Sequence, residues 1–312
     1  MTRRFRAEVE RAGLGDQRFG LAVSGGPDSL AMLLMAHAVY AEQFEVATVD
    51  HGLRAEAKSE CAFVEQVCSE RDIACTVLTV QVPEGNLQAQ AREARYAALE
   101  HWVSDRGLAA IMTAHHADDQ AETLLMRLNR GSGVAGLAGV RRVNETEAGG
   151  LRIVRPLLGF RRAELESVVS AAGLDAVEDP SNQNDRFDRV RIRQALADAD
   201  WLDPLAIAQS AQHLADADEA LDYEVQRFWE QNAQRTRNAI RLPLHPMRET
   251  RLRLMTRAIK ELGGDPRGSD IASLDDKFSN QRKGNVAGVM VELRSEDDGQ
   301  FLNFSPEPPR RS

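Results

Sequence analysis

A strand that breaks at once into a helix is written into residues Phe19 to Leu30, FGLAVSGGPDSL. Phe19, Leu21, Ala22 and Val23 form a short apolar run, and Ser24-Gly25-Gly26-Pro27-Asp28-Ser29 interrupts it. Leu30, Met32, Leu33, Leu34 and Met35 then resume at the spacing of a buried helix face. Such a turn aims backbone N–H groups at one point, where the positive end of the helix adds to the field. Gly25 and Gly26 permit close backbone approach, and Ser24 and Ser29 bring hydroxyls. The feature reads as a cradle for phosphate or pyrophosphate; the plainer reading is a strand–helix turn N-capped by Asp28 or Ser29. The Gly-Lys-Ser/Thr ending of the common P-loop is missing, and the spacing is not GxGxxG.

The same alternation recurs. Val46-Ala47-Thr48-Val49 runs into Asp50-His51-Gly52-Leu53-Arg54, followed by a helix from Glu56 to Arg71 and a strand near Cys75 to Val80. A helix from Asn86 to Arg106 carries Arg92 and Arg95 as neighbours on one face. A strand over Ala109–Thr113 ends in AHHADDQAET, Ala114 to Thr123, which opens the next helix. Four strand–helix repeats predict an α/β fold with a parallel sheet and right-handed crossovers. Ser24, Asp50 and His115 then converge on the carboxyl edge, where open sheets place ligands.

The first turn after His115 and His116 gathers Asp118, Asp119 and Glu122. These carboxylates are ordinary helix-dipole partners, with a metal site as the rival reading for two histidines and three acids. Adjacent histidines point apart and the string is not HExxH, which disfavours a dedicated transition-metal site. Cys61, Cys68 and Cys75 form no CxxC pair, and read as structural thiols.

Net charge is −9, which argues against a generally basic nucleic-acid binder. Yet 35 of the 39 basic residues are arginine, the side chain suited to phosphate. They crowd around a Gly-rich segment, Arg130 to Gly139, which resembles a mobile loop, and again at Arg186, Arg189, Arg191 and Arg193 after the turn Glu178–Asn182. No apolar stretch nears the roughly 20 residues that cross a bilayer, and the N-terminus lacks the apolar core of a secretory signal. The expected location is the cytosol, with no membrane partner. Residues 1–203 are expected to form the α/β domain. Residues 204–305 are read as a helical linker with a small α+β domain, including strands over Gly284–Leu293 and Phe301–Phe304, and 306–312 as a disordered tail.

SGGPDS resembles the pyrophosphate loop of the N-type ATP pyrophosphatases. With VDHGLR, AREARY, AHHADDQAETLLMRL, RGSG, RPLL and EDPSN…RVRIR in that order, residues 17–197 resemble the tRNA(Ile)-lysidine synthases. The resemblance implies a Rossmann-like, adenine-nucleotide α-hydrolase-like fold. It also implies an enzyme that uses ATP and Mg²⁺ to adenylate the wobble cytidine of a CAU-anticodon tRNA(Ile), then joins free L-lysine. Ser24, Gly25, Gly26, Pro27, Asp28 and Ser29 would hold ATP, with Asp28 on the metal, and His51 and Arg54 would line the nucleotide site. Arg92 would meet the α-phosphate or adenylated base, and Asp119 and Glu122 the lysine, with His115 and His116 beside the reacting centre. Arg130, Arg186, Arg189, Arg191 and Arg193 would meet tRNA. The chain departs from the family at Arg189-Val190, where Arg-Asn is usual. It is expected to be too short for the extra C-terminal domain of longer members, so tRNA recognition is expected to fall to one small domain or to a homodimer partner.

The rivals are a tRNA thiolase sharing the loop, amide-forming synthetases and a non-catalytic ATP-binding regulator. The cysteines lie on the wrong elements for the first, and the second lack HHADDQAET. A regulator has no reason to gather acids for a cationic amine.

Overall fold

Phe19, Leu21 and Val23 are buried, and the run forms a strand at the heart of a six-stranded sheet. The computed structural model describes residues 1–52, 56–81, 87–146, 150–177 and 188–307. Helix α1 (Thr2–Arg11) precedes β1 (Phe19–Ala22), α2 (Pro27–Tyr40), β2 (Phe44–Asp50), α3 (Glu56–Ser69) and β3 (Cys75–Thr79). Next come α4 (Leu87–Asp105), β4 (Ile111–Met112), α5 (Ala117–Asn129), α6 (Val134–Leu137), β5 (Val143–Glu145) and β6 (Arg152–Val154). Helices α7 (Arg162–Ala171), α8 (Asp188–Asp198) and α9 (Pro204–Asn232) follow.

The sheet order is β3-β2-β1-β4-β6-β5, with only β5 antiparallel. The chain leaves β1 toward β2 and β3, then returns on the other side at β4. The topological switch point, where doubly wound sheets bind ligands, therefore lies between the ends of β1 and β4. The expected α/β architecture is found, with two differences in detail. Strand β4 spans two residues rather than five, although Gly20 N still donates to Ala110 O (2.8 Å) and Thr113 N to Val154 O (3.0 Å). Strand β5, at three residues, is too short to leave a periodic signal.

Helix α2 is apolar nearly all round because it is covered on both sides: Leu30, Met32, Leu33 and Met35 are buried in a core shared with Phe5 and Val9 of α1 and Leu165 and Val169 of α7. On the other face of the sheet, Leu99, Trp102 and Val103 of α4 pack with Ile111 and Ile153. Gly20 makes this approach possible. A Cβ there would stand 2.5 Å from Trp102 Cζ3 and 2.9 Å from Ile111 Cδ1. Gly20→Ala is therefore expected to cost about 1–3 kcal/mol through overpacking, read as a lower urea midpoint. Cys61 and Cys68 are buried on α3, Cys75 is half-buried, and all three are free thiols.

The chain divides into two units, Met1–Ala215 and Asp216–Ser312, and α9 begins in the first and ends in the second. The second unit adds β7 (Gln234–Arg235), β8 (Ile240–Pro243), α10 (Arg248–Glu261), α11 (Gly268–Lys277), β9 (Lys283–Val286), β10 (Val289–Glu296) and β11 (Gly299–Pro306). Its antiparallel order is β7-β8-β11-β10-β9, over a core containing Trp229, Met255, Ile259, Val291 and Phe304. The single strand expected over Gly284–Leu293 is a hairpin. Ala287 and Gly288 take positive φ (51° and 78°), and Val286 faces Val289 across a two-residue turn. Ala-Gly is a weak turn signal, so by pattern alone the segment reads as one strand. No helix among the described residues is long and apolar enough to cross a membrane.

Candidate active site

The turn after β1 is built as the sequence suggests. Gly25 has φ +84°, Gly26 is the N-cap of α2, and Pro27 opens the helix with no side-chain cap on its first turn. Ser29 is buried; its Oγ accepts from Ser24 N (3.2 Å), donates to Gly26 O (2.9 Å) and lies 3.3 Å from Ser24 Oγ. Val177 N donates to Gly25 O (3.1 Å), tying the segment after α7 onto the turn. The uncapped amide end of α2 faces the switch point, the arrangement that binds phosphate.

The start of α5 lies across the crevice. His116 is 1% exposed, with Nε2 3.4 Å from both Asp28 Oδ2 and Asp119 Oδ2, and Nδ1 3.5 Å from Asp118 Oδ2. Burial opposes charge on this ring, but Asp118, Asp28 and Asp119 outweigh it and raise its pKa to about 9. It is an imidazolium at neutral pH, fastening α2 to α5. Asp118 continues the chain of contacts, accepting from Arg162 N (2.8 Å) and Arg161 Nε (3.3 Å) at the start of α7. Asp28 Oδ1 is buried with no hydrogen-bond partner.

His115 is the opposite case. Its Nδ1 lies 3.0 Å from Thr113 Oγ1. Burial lowers its pKa to about 4; Asp119 pulls the other way, and Arg155, Arg189 and Arg92 add to the push. It is neutral at pH 7. The two histidines thus have different hydrogen-bonding and ionic partners and carry different charge.

The acid pair is occupied. Glu122 is 1% exposed and accepts from Arg189 Nε (2.6 Å) and Arg193 Nε (2.7 Å). Arg189 Nη2 also reaches Asp119 Oδ1 (2.9 Å), and His116 N donates to Asp119 Oδ2 (3.0 Å). Charges of opposite sign hold the Asp119 carboxyl below its ordinary range despite burial. Two arginines expected at a tRNA surface are therefore turned inward in this structure, while Arg130 and Arg191 meet Asp188 at 3.0 and 2.6 Å.

Ser24 to Ser29, His115, His116, Asp119 and Glu122 are brought together as expected. Arg92 is exposed on α4, its guanidinium 5.0 Å from the Tyr96 ring centre. His51 follows the end of β2, where Asp50 Oδ1 accepts from Gly52 N (2.8 Å). Arg54, Arg186 and the turn Glu178–Asn182 lie outside the described residues. The Gly-rich segment is tied down: Arg127 Nη1 donates to Gly136 O (2.6 Å) and Gly139 O (3.2 Å), and Gln120 exchanges two hydrogen bonds with Val140. Two features escaped sequence reasoning, the Asp118–Arg161–Arg162 brace and the buried Arg155. The second had a signal, an arginine directly after a buried apolar strand and before proline.

A Ser-Gly-Gly turn and a bare helix N-terminus at the switch point of a parallel sheet define an ATP-binding PP-loop protein, and the PP-loop domain model matches residues 1–200. The tRNA(Ile)-lysidine synthase of Novosphingobium aromaticivorans is 46% identical over 299 residues, 95% of this chain and 90% of that protein. The tRNA(Ile)-lysidine synthase of Zymomonas mobilis is 38% identical, over 94% of this chain and 90% of its own. The chain belongs to the tRNA(Ile)-lysidine synthase family. Among solved structures, the U34-tRNA thiolase NcsA of Methanococcus maripaludis, with its iron–sulfur cluster, shares the fold: TM-score 0.59 at 16% identity, over 69% of this chain and 78% of that one.

Proposed function

We propose that this chain is an ATP-dependent ligase that adenylates the wobble cytidine of the CAU-anticodon tRNA(Ile) and joins free L-lysine to it, so that the tRNA reads AUA instead of AUG. The names of its relatives support this. The observation that carries it is the meeting at one sheet edge of the Ser24–Ser29 cradle and the His115–Glu122 cluster. One holds the pyrophosphate that leaves and the other receives a cationic amine. Oxygen 2 of the cytidine attacks the α-phosphorus and pyrophosphate departs. The lysine amine nitrogen then bonds to carbon 2, losing a proton, as the carbon–oxygen bond breaks and AMP leaves.

Ser24, Gly25, Gly26, Pro27 and Ser29 cradle the phosphates, with His51 toward the nucleotide. Arg92 adds positive charge where the α-phosphate reacts. The buried, unpartnered Asp28 Oδ1 is a hard oxygen of the kind Mg²⁺ takes, so Asp28 fits the role of metal ligand. When bound, the ion offsets charge building on the phosphates. Lysine's ammonium exchanges with Arg189 on Asp119 and Glu122, and Arg189 joins Arg130, Arg191 and Arg193 in meeting tRNA phosphates. Binding in place supplies much of the rate. The roles of Arg54 and Arg186, a cytosolic location and a dimer partner rest on sequence alone.

The test is pyrophosphate release with total tRNA, with and without radiolabelled lysine. Label is expected in tRNA only with ATP and only when a CAU-anticodon isoleucine tRNA is present. Pyrophosphate without label transfer would leave the loop right and the acceptor wrong; neither product would return the chain to a regulator.

A further inference from the structure

Among the described residues, many arginines of this acidic chain end on a carboxylate; three near the site do not. Among the described residues, Arg92 and Arg95 meet only the Tyr96 ring, at 5.0 and 5.3 Å from its centre. Arg155 is 4% exposed. Its Nη1 donates to Arg141 O (2.8 Å) and to Asn144 Oδ1, both neutral, and its Nε is buried without an acceptor. Burial pushes this guanidinium down, with Tyr96 supporting its charge. A cation kept out of water without a counter-charge is costly, so its retention needs a reason.

Its place in the fold supplies one. Strand β6 pairs in parallel with β4, Val154 facing Met112, so Arg155 comes level with Thr113 at the carboxyl edge. Its charge is among those that keep His115 neutral. In the sheet order it lies on the opposite side of the cradle from β2 and His51, the side left for the second substrate. The site therefore lines up the acids Asp119 and Glu122, held in this structure by Arg189 and Arg193, a neutral imidazole at His115, and a buried guanidinium at Arg155 with no carboxylate on it among the described residues. That sequence of charges suits a zwitterion.

We propose that Arg155 holds the α-carboxylate of the amino-acid substrate, across His115 from the acids that take its ammonium. The planar guanidinium fork matches a carboxylate. The proposal rests on the lysine-transferring reading above, and it makes Arg155 a determinant of amino acid over simple amine.

The experiment compares lysine with cadaverine, which keeps the reactive amine and lacks the carboxylate, in tRNA transfer. Wild type is expected to prefer lysine by roughly 10- to 100-fold in kcat/KM, the worth of a charged hydrogen bond. Arg155→Gln is expected to reduce that ratio by about tenfold or more, chiefly through the KM for lysine. Arg155→Lys, which keeps the charge in the buried position, should restore part of it and covers the case in which the glutamine variant does not fold. Equal use of lysine and cadaverine by wild type overturns the proposal. So does an Arg155→Gln variant that loses both amines in equal proportion, or one whose pyrophosphate release without amine falls as far as transfer, which would give the guanidinium to the nucleotide. A wild-type protein that transfers neither amine instead overturns the underlying reading, a distinct result.

Discussion

Asp119→Ala is expected to depress lysine transfer by roughly 10- to 100-fold more than it depresses tRNA-dependent pyrophosphate release. Asp119 stands between two networks: Oδ1 meets Arg189 Nη2 (2.9 Å), whereas Oδ2 takes the His116 amide (3.0 Å) and faces its ring (3.4 Å). Only the first involves the place proposed for the ammonium. Deleting the carboxylate leaves Arg189 on Glu122 (2.6 Å), so that acid stays neutralised and the amine loses its strongest partner. The second network is structural. Oδ2 caps the amide end of α5, and losing such a cap costs about 1 kcal/mol. Asp119→Asn separates the two effects, since it keeps an acceptor for the His116 amide and loses the charge. If the asparagine variant transfers lysine normally, the carboxylate is a cap and not an amine site. Rapid quench with labelled ATP and labelled lysine in parallel gives both rates from one preparation.

What could be read without coordinates divides along physical lines. The SGGPDS turn was legible because each residue type answers a local need: glycine for a φ of +84° at Gly25, hydroxyls at Ser24 and Ser29, proline at the first helical position. The carboxylates of α5 were legible as a cluster because a helix fixes which residues share a turn. Their partners were not. Nothing local says that Arg189 and Arg193, some 70 positions later, fold back onto Asp119 and Glu122. Counting arginines therefore overstated the cationic surface. Arg142 is spent on Glu8, Arg161 on Asp118, and Arg127 on the carbonyls of the glycine segment. The turn at Ala287-Gly288 was hidden for another reason: a hairpin built without Asn-Gly looks like one long strand when both halves are apolar. Arg155 does not stand out among the arginines of the sequence, since burial, which makes it unusual, is a tertiary property.

The paired histidines should give the protein a stability maximum near pH 6.5, and His116→Asn should remove the alkaline half of it. The folded protein holds the His116 proton until about pH 9, whereas the unfolded chain releases it near the ordinary value of 6.5. Its contribution is therefore full below 6.5 and is lost as pH rises through 9. His115 behaves in reverse. Its folded value of about 4 means that the unfolded chain gains a proton the folded one refuses, so stability falls from pH 6.5 down to 4. The groups around His116 come from two elements, Asp28 on α2 and Asp118 and Asp119 on α5, with Arg161 and Arg162 behind Asp118. Asp118 and Asp119 are themselves held below the ordinary carboxylate range and stay charged across this window. At about 1.4 kcal/mol per unit, the alkaline loss is of the order of 2–3 kcal/mol. The measurement is urea unfolding of wild type and His116→Asn at pH 6.5 and 9, with EDTA present so that no metal competes for Asp28. The gap between the two proteins should shrink by that amount at the higher pH. A gap that stays constant would mean that His116 does not carry its charge in the folded protein, and the three carboxylates would then need another cation to hold them together.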